Sequence, residues 1–195
     1  MVKNDKGIIV VFDGPSGVGK DTIISKLIQG YPKLFIKAAS TTTRPMREGE
    51  SQGYPYYFVS DEVFLSKIKS GEIFEHTTRH GTYRGMSKKI FDAIIKDGKI
   101  PLKDCDYIGL NALRETYPGK VVGIFLTAPK EMIIERLLAR DKNDVTLNAR
   151  IADYDSFVKT GVYFDYVIQN IEVEKTVKEV IEKIEEFFKI RIANK

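Results

Sequence analysis

Apolar residues fall in short blocks along the chain, and the spacing inside each block indicates an element. Gly7–Phe12 (G-I-I-V-V-F) is β-branched and has no polar alternation. That pattern suits a strand covered on both faces, as in a parallel sheet. From about Lys20 to Gln29 the apolar positions are Ile23, Ile24, Leu27 and Ile28, one stripe of a helix that Gly30 and Pro32 end. A second strand is expected near Leu34–Ala39. Further on, Ser87 caps a helix running to Lys96, with Ile90, Phe91, Ile94 and Ile95 on one side. A strand near Lys99–Cys105 and a helix near Gly109–Thr116 follow. Val121–Leu126 (V-V-G-I-F-L) is another buried strand, and Pro129 opens a helix whose core face is Ile133, Ile134, Leu137 and Leu138. After a last strand at Asp165–Gln169, Val177, Val180, Ile181, Ile184, Phe187 and Phe188 line one face of a C-terminal helix. Its outer side offers Glu174–Lys178, Glu179–Lys183 and Glu185–Lys189 at i,i+4.

Between Ser40 and Ser87 this rhythm breaks. Tyr54–Val59 and Ile73–Thr78 read as strands around a short helix capped by Ser60 and closed at Gly71. The expectation is therefore an α/β domain of three layers, a parallel sheet flanked by helices, with a small lobe inserted at about residues 40–87.

Composition narrows the class. Of 195 residues, 43% are hydrophobic and 30% charged, ordinary values for a soluble domain. No apolar run is long enough to span a membrane, and M-V-K-N-D-K-G predicts no signal peptide. Cys105 is the only cysteine, which rules out an internal disulfide and points to a reducing, cytoplasmic setting. The net charge of +4 is not gathered into a basic tail, since the last 25 residues hold six acids and six bases. A small phosphorylated partner fits this better than nucleic acid.

The first candidate chemistry is V-V-F-D-G-P-S-G-V-G-K-D-T. From Gly14 to Lys20 it fits the phosphate-binding spacing G-x-x-x-x-G-K, but Asp21 stands where Ser or Thr is usual. Gly14, Gly17 and Gly19, with Pro15, Ser16 and Val18 between them, let backbone N–H groups curl around phosphate oxygens at a helix N-terminus. Lys20 supplies a point charge. Asp21 has two readings: an oxygen ligand for Mg²⁺, or a favourable charge in the first turn of a helix. Thr22 lies one position late for the metal. The second candidate is S-T-T-T-R-P-M-R-E-G-E, Ser40 to Glu50. Arg44 and Arg47 are paired guanidinium groups suited to a phosphate dianion, although two arginines alone also suit a solvated loop.

With G-P-S-G-V-G-K, T-T-R-P-M-R-E-G-E, G-Y-P-Y-Y-F-V, I-F-E-H, G-T-Y-R-G-M-S-K, R-L-L-A-R and Y-V-I-Q-N in place, the chain resembles the guanylate kinases from about Ile8 to the C-terminal helix. The resemblance implies a P-loop kinase fold of one domain, with core 1–39 and 88–195, a GMP-binding lobe at about 40–87 and a lid at about 137–150. It implies ATP and Mg²⁺ as cofactors, GMP as acceptor, and a monomer or weak homodimer. By position, Ser40, Arg44, Arg47, Tyr56 and Arg84 would surround the GMP phosphate. Glu75 would accept hydrogen bonds from guanine, with Glu50 and Asp106 in support. Arg136, Arg140 and Arg150 would be lid cations, Asn170 would lie on the adenine side, and Asp104 would join Asp21 near the metal.

Three departures accompany the match. Arg84 replaces a phosphate-binding tyrosine, and Met86 replaces a hydroxyl expected at the base. Lys103-Asp104-Cys105-Asp106 replaces a more apolar pattern. G-K-D also resembles the ribose 1,5-bisphosphate phosphokinases, which makes a changed acceptor the second reading and a non-catalytic binding module the third. His76, His80 and Cys105 carry no metal or nucleophile pattern, and Tyr54, Tyr57 and Phe58 read as strand packing.

Overall fold

In a computed structural model, which describes residues 4–79, 81–140, 147–190 and 192, two five-stranded sheets meet. The first has the order β10-β9-β1-β8-β2 and all of its pairings are parallel. Its strands are β1 (Ile9–Asp13), β2 (Phe35–Lys37), β8 (Ile100–Asp104), β9 (Val121–Thr127) and β10 (Tyr166–Gln169).

The central strand β1 shows why the fold has three layers. Side chains alternate across a strand. Val10 and Phe12 enter one core with Ile23 and Leu27 of α1 (Lys20–Gly30), Ile133 and Leu137 of α5 (Lys130–Arg140), and Val180 and Ile184 of α8 (Val173–Phe188). Ile9 and Val11 enter the other with Phe91 of α3 (Lys88–Lys96) and with Leu110 and Leu113 of α4 (Tyr107–Thr116). Every residue of β1 is buried, which is why it lacks polar alternation.

The second sheet is formed by β3 (Ser40–Thr42), β4 (Ser51–Gln52), β5 (Pro55–Phe58), β6 (Ile73–Arg79) and β7 (Thr82–Ser87), in the order β4-β5-β3-β7-β6. It is mixed: β3 pairs parallel with β5 and antiparallel with β7. The helix α2 (Asp61–Lys69) starts at Ser60, whose hydroxyl accepts from the Val63 N–H at 3.3 Å as its sequence position predicts. Among the described residues the chain also forms α6 (Leu147–Ala152), α7 (Tyr154–Val158) and a 3-10 turn at Lys159–Tyr163.

Several local expectations need correction. Ser87 precedes α3 but makes no side-chain cap; its hydroxyl donates to Glu72 Oε1 at 3.0 Å, and Lys67 reaches the same oxygen at 2.6 Å. The buried hydroxyl is turned to donate to a carboxylate, a charge-assisted bond, instead of accepting from a helix N–H as a cap would. On α8 the charged side chains pair differently from the expected i,i+4 set. Glu174 holds Lys26 on α1 at 2.8 Å, Lys183 holds Glu186 at 2.8 Å, and Lys178 lies 3.8 Å from Glu182. Tyr54 is 73% exposed and is therefore not packed in the strand face.

Candidate active site

At the C-terminal ends of β1 and β8 the chain builds two cavities. The first, of about 380 Å³, is lined by Pro15, Ser16, Gly17, Gly19, Lys20, Asp21, Thr22, Arg136 and Asn170, with Leu137 and Val173. The β1–α1 loop shapes it. Gly14 has φ 147°, and a Cβ there would fall 2.2 Å from the Leu126 carbonyl oxygen, so only glycine fits against β9. Gly19 has φ 98° and hands the chain to α1. The side chain of Val18 is fully buried, and its carbonyl accepts from Asn170 Nδ2 at 2.7 Å and Arg136 Nη1 at 3.2 Å. Arg136 Nη2 also donates to the Asn170 carbonyl at 3.0 Å. Arg136 thereby joins the loop to the turn after β10. Asn170 Oδ1 is buried without a hydrogen-bond partner.

Lys20 folds back on its own loop and donates to the Gly14 and Pro15 carbonyls. Burial pulls its pKa below the ordinary lysine range, against the opposing pull of Asp13, Asp104 and Asp21. Asp13 is the residue that the sequence reading missed. It is 6% exposed, and its Oδ2 has no partner. Burial pushes its carboxyl up to about 6, although the Gly14 N–H and Lys20 pull the other way; Asp106 and Asp104 add to the rise. The signal was a carboxylate ending a run of buried apolar residues just before the glycines.

The second cavity, of about 220 Å³, lies between the two sheets and is lined by Ser40, Tyr56, Glu75, Thr77, Thr82, Arg84, Gly85, Met86, Lys103, Asp104, Cys105, Asp106 and Gly109. Burial raises the Glu75 carboxyl above its usual range, Asp106 raises it further, and Lys103 and His76 oppose this. Asp106 also caps α4 by accepting from the Gly109 N–H at 3.0 Å. The Arg84 guanidinium carbon lies 4.6 Å from the Tyr56 ring centroid and that of Arg44 5.6 Å from it, so one aromatic ring collects two cations at the cavity's edge. Glu50 accepts from Arg44 Nη2 and from the Arg47 backbone N–H at 2.8 Å. The Arg47 side chain is exposed. Cys105 is half-buried, and burial pushes its thiol up, away from nucleophilic use.

The metal candidates Asp21 and Asp104 are linked through Lys37, at 2.9 and 4.0 Å. Among the described residues no three acidic, histidine or cysteine side chains form a ready cage for an ion. Arg140 ends α5 and Arg150 lies in α6. Residues 141–146 of the expected lid, and His80, lie outside the described residues.

The family model described as guanylate kinase matches residues 6–187, nearly the whole chain. The chain belongs to the guanylate kinase family. Among curated relatives, the guanylate kinase of Symbiobacterium thermophilum is 34% identical over 182 residues, covering 92% of this chain and 85% of its own. That of Helicobacter hepaticus is 35% identical over 178 residues, covering 90% and 88%. Among solved structures, guanylate kinase from Anaplasma phagocytophilum aligns with a TM-score of 0.67 at 29% identity, covering 92% of this chain and 85% of that one. The fold found here, a parallel sheet flanked by helices, is that of the guanylate kinase family. No helix among the described residues is long and apolar enough to cross a membrane.

Proposed function

We propose that this protein transfers the γ-phosphate of ATP to GMP, giving ADP and GDP. The observation that carries the reading is the pairing of two cavities across the ends of β1 and β8. One is built on the phosphate loop and the other holds Glu75 with Ser40, Tyr56 and Arg84.

The donor triphosphate would lie on the loop amides, with Lys20 released from the Gly14 and Pro15 carbonyls to the phosphate oxygens. Asn170 Oδ1, buried and unpartnered, would accept from the adenine amino group. Mg²⁺ prefers oxygen ligands, keeps several waters and commonly binds one or two carboxylates plus substrate phosphates. Asp104, joined to Asp21 through Lys37, fits that pattern; there the ion would neutralise charge on the phosphates.

In the acceptor cavity, Glu75 would accept from the N1–H and 2-amino groups of guanine, a pair of donors that adenine lacks. Arg44, Arg84 and the Tyr56 hydroxyl would hold the phosphate, with Arg47 beside them and Glu50 fixing the loop. The second pKa of a phosphate monoester is about 6, so the acceptor is largely a dianion at neutral pH and needs no strong base. The protein's work is to align two anions, exclude water and stabilise the charge that spreads in the transition state. Arg136 braces the donor side, and Arg140 and Arg150 would bring cations from either side of residues 141–146.

Steady-state assays with ATP, Mg²⁺ and GMP, AMP, UMP, CMP and ribose 1,5-bisphosphate test this. GMP should be preferred by at least a hundredfold in kcat/KM. Equal turnover of the four nucleotides would remove the guanine assignment, and transfer to the sugar phosphate alone would replace it.

A further inference from the structure

Lys103 is a buried charge of the acceptor cavity to which the scheme above gives no task. It interrupts the apolar face of β8, and only 6% of it is exposed. Its ammonium donates to Ser40 Oγ at 2.8 Å and stands 3.7 Å from Asp104 Oδ1, beyond hydrogen-bonding distance. An ammonium carries three protons. Ser40 takes one, and the rest are free for water or a ligand in the acceptor cavity that Lys103 lines with Ser40, Glu75 and Asp104.

Burying an ammonium is costly, and an apolar side chain at the same position would pack more cheaply. Such a group is worth keeping where an anion arrives. Its position supports this, because charges alternate from the first turn of α1 into the cavity. Asp21 holds Lys37 at 2.9 Å, Lys37 lies 4.0 Å from Asp104, and Asp104 stands 3.7 Å from Lys103. Asp104 also acts on the charge of Lys20. One carboxylate therefore stands between two ammonium groups, one in each cavity.

We propose that Lys103 is a ligand of the acceptor's phosphate, binding the monoester dianion together with Ser40 whatever base the acceptor carries. This rests on the acceptor reading given above. It gives each of the two anions a lysine of its own, Lys20 for the donor and Lys103 for the acceptor, and lowers the repulsion between them as they approach.

Calorimetry with GMP, guanosine and ATP, on wild type, Lys103→Met and Lys103→Arg, tests the proposal. Lys103→Met should lose at least tenfold in GMP affinity while guanosine and ATP affinities stay within twofold. Lys103→Arg should recover part of the loss. If Lys103 only neutralised Asp104, Asp106 and Glu75, Lys103→Met would weaken guanosine in parallel and lower the melting temperature; that result, or GMP affinity within twofold of wild type, overturns the proposal. Should Lys103→Met not fold, Lys103→Gln keeps a donor to Ser40 without the charge and is read the same way. A wild-type protein that binds neither GMP nor guanosine overturns the acceptor reading instead. Ribose 5-phosphate then becomes the probe, and its affinity should show the same tenfold dependence on Lys103.

Discussion

Glu50 receives the Arg44 guanidinium through both oxygens, Nη2 lying 2.7 Å from Oε1 and 2.9 Å from Oε2. The contact holds the Glu50 carboxyl below the usual carboxylate range, helped by the Arg47 N–H. One carboxylate thus fixes both the side chain of the first arginine and the backbone of the second, in a segment whose Pro45 and Gly49 keep it from being a regular helix. Glu50→Gln keeps the shape and halves the acceptor strength. It should raise KM for GMP by about tenfold, because a misplaced phosphate clamp costs alignment, and leave KM for ATP unchanged. Initial rates with one substrate varied at a time measure both. An unchanged KM for GMP would mean that Glu50 only shapes the loop.

The resemblance singled out Arg44 and Glu50, and the apolar blocks made the first sheet legible, most plainly at its central strands β1 and β9, which are buried nearly throughout. The second sheet was half-legible. β3 is Ser-Thr-Thr and β7 is T-Y-R-G-M-S, stretches whose strand character comes from partners far along the chain rather than from local pattern. The roles of Asp13 and Lys103 were not legible, because what surrounds them is set by tertiary packing: Lys20 for one and Ser40 for the other. The expected cap at Ser87 failed for the same reason, since Glu72 is a neighbour only in the fold.

Under the proposed function, Glu75 would carry the base preference. A site that leaves polar groups unpaired rejects the wrong partner by about 10⁴ or more. Glu75→Gln puts an amide against the guanine donors and should lower kcat/KM for GMP by about 10³ or more, with little change in ATP affinity. Burial and Asp106 raise the Glu75 carboxyl above its ordinary value of 4.5, and only the ionised form accepts from both guanine donors. Guanosine, which has no titrating phosphate, should therefore bind more weakly as pH falls, with the loss starting above 4.5. Guanosine affinity as strong at pH 4.5 as at pH 7.5 would contradict a carboxylate reading of the base.

Arg136 separates a brace from a lid. Its guanidinium bonds the carbonyls of Val18 and Asn170. A brace acts before any acceptor arrives. Arg136→Ala should weaken ATP about tenfold in binary titration without GMP and lower thermal stability, since charge-assisted hydrogen bonds are worth about 1.5–3 kcal/mol each. A variant with normal ATP affinity and low kcat alone would instead place Arg136 in the transfer step.

Asp13 makes the opposite demand on stability. Its carboxyl is nearly fully buried, with one oxygen unpartnered, and titrates at about 6 rather than 3.8. Below 3.8 both folded and unfolded chains carry it protonated. Between 3.8 and 6 the folded chain binds more protons, so this group's contribution to stability falls as pH rises. Above 6 the cost is complete, and two pKa units correspond to about 3 kcal/mol. Asp13→Asn removes the ionisation while keeping the shape. It should therefore unfold at a higher temperature than wild type at pH 7.5, by about 3 kcal/mol in stability, and lose most of that advantage near pH 4. Denaturant melts at the two pH values measure the difference. A fold that retains such a charge beside Lys20 gives up stability at its phosphate loop, the kind of trade found where a site rather than a core sets the residue. An Asp13→Asn protein less stable than wild type at pH 7.5 would show that the Lys20 attraction outweighs burial.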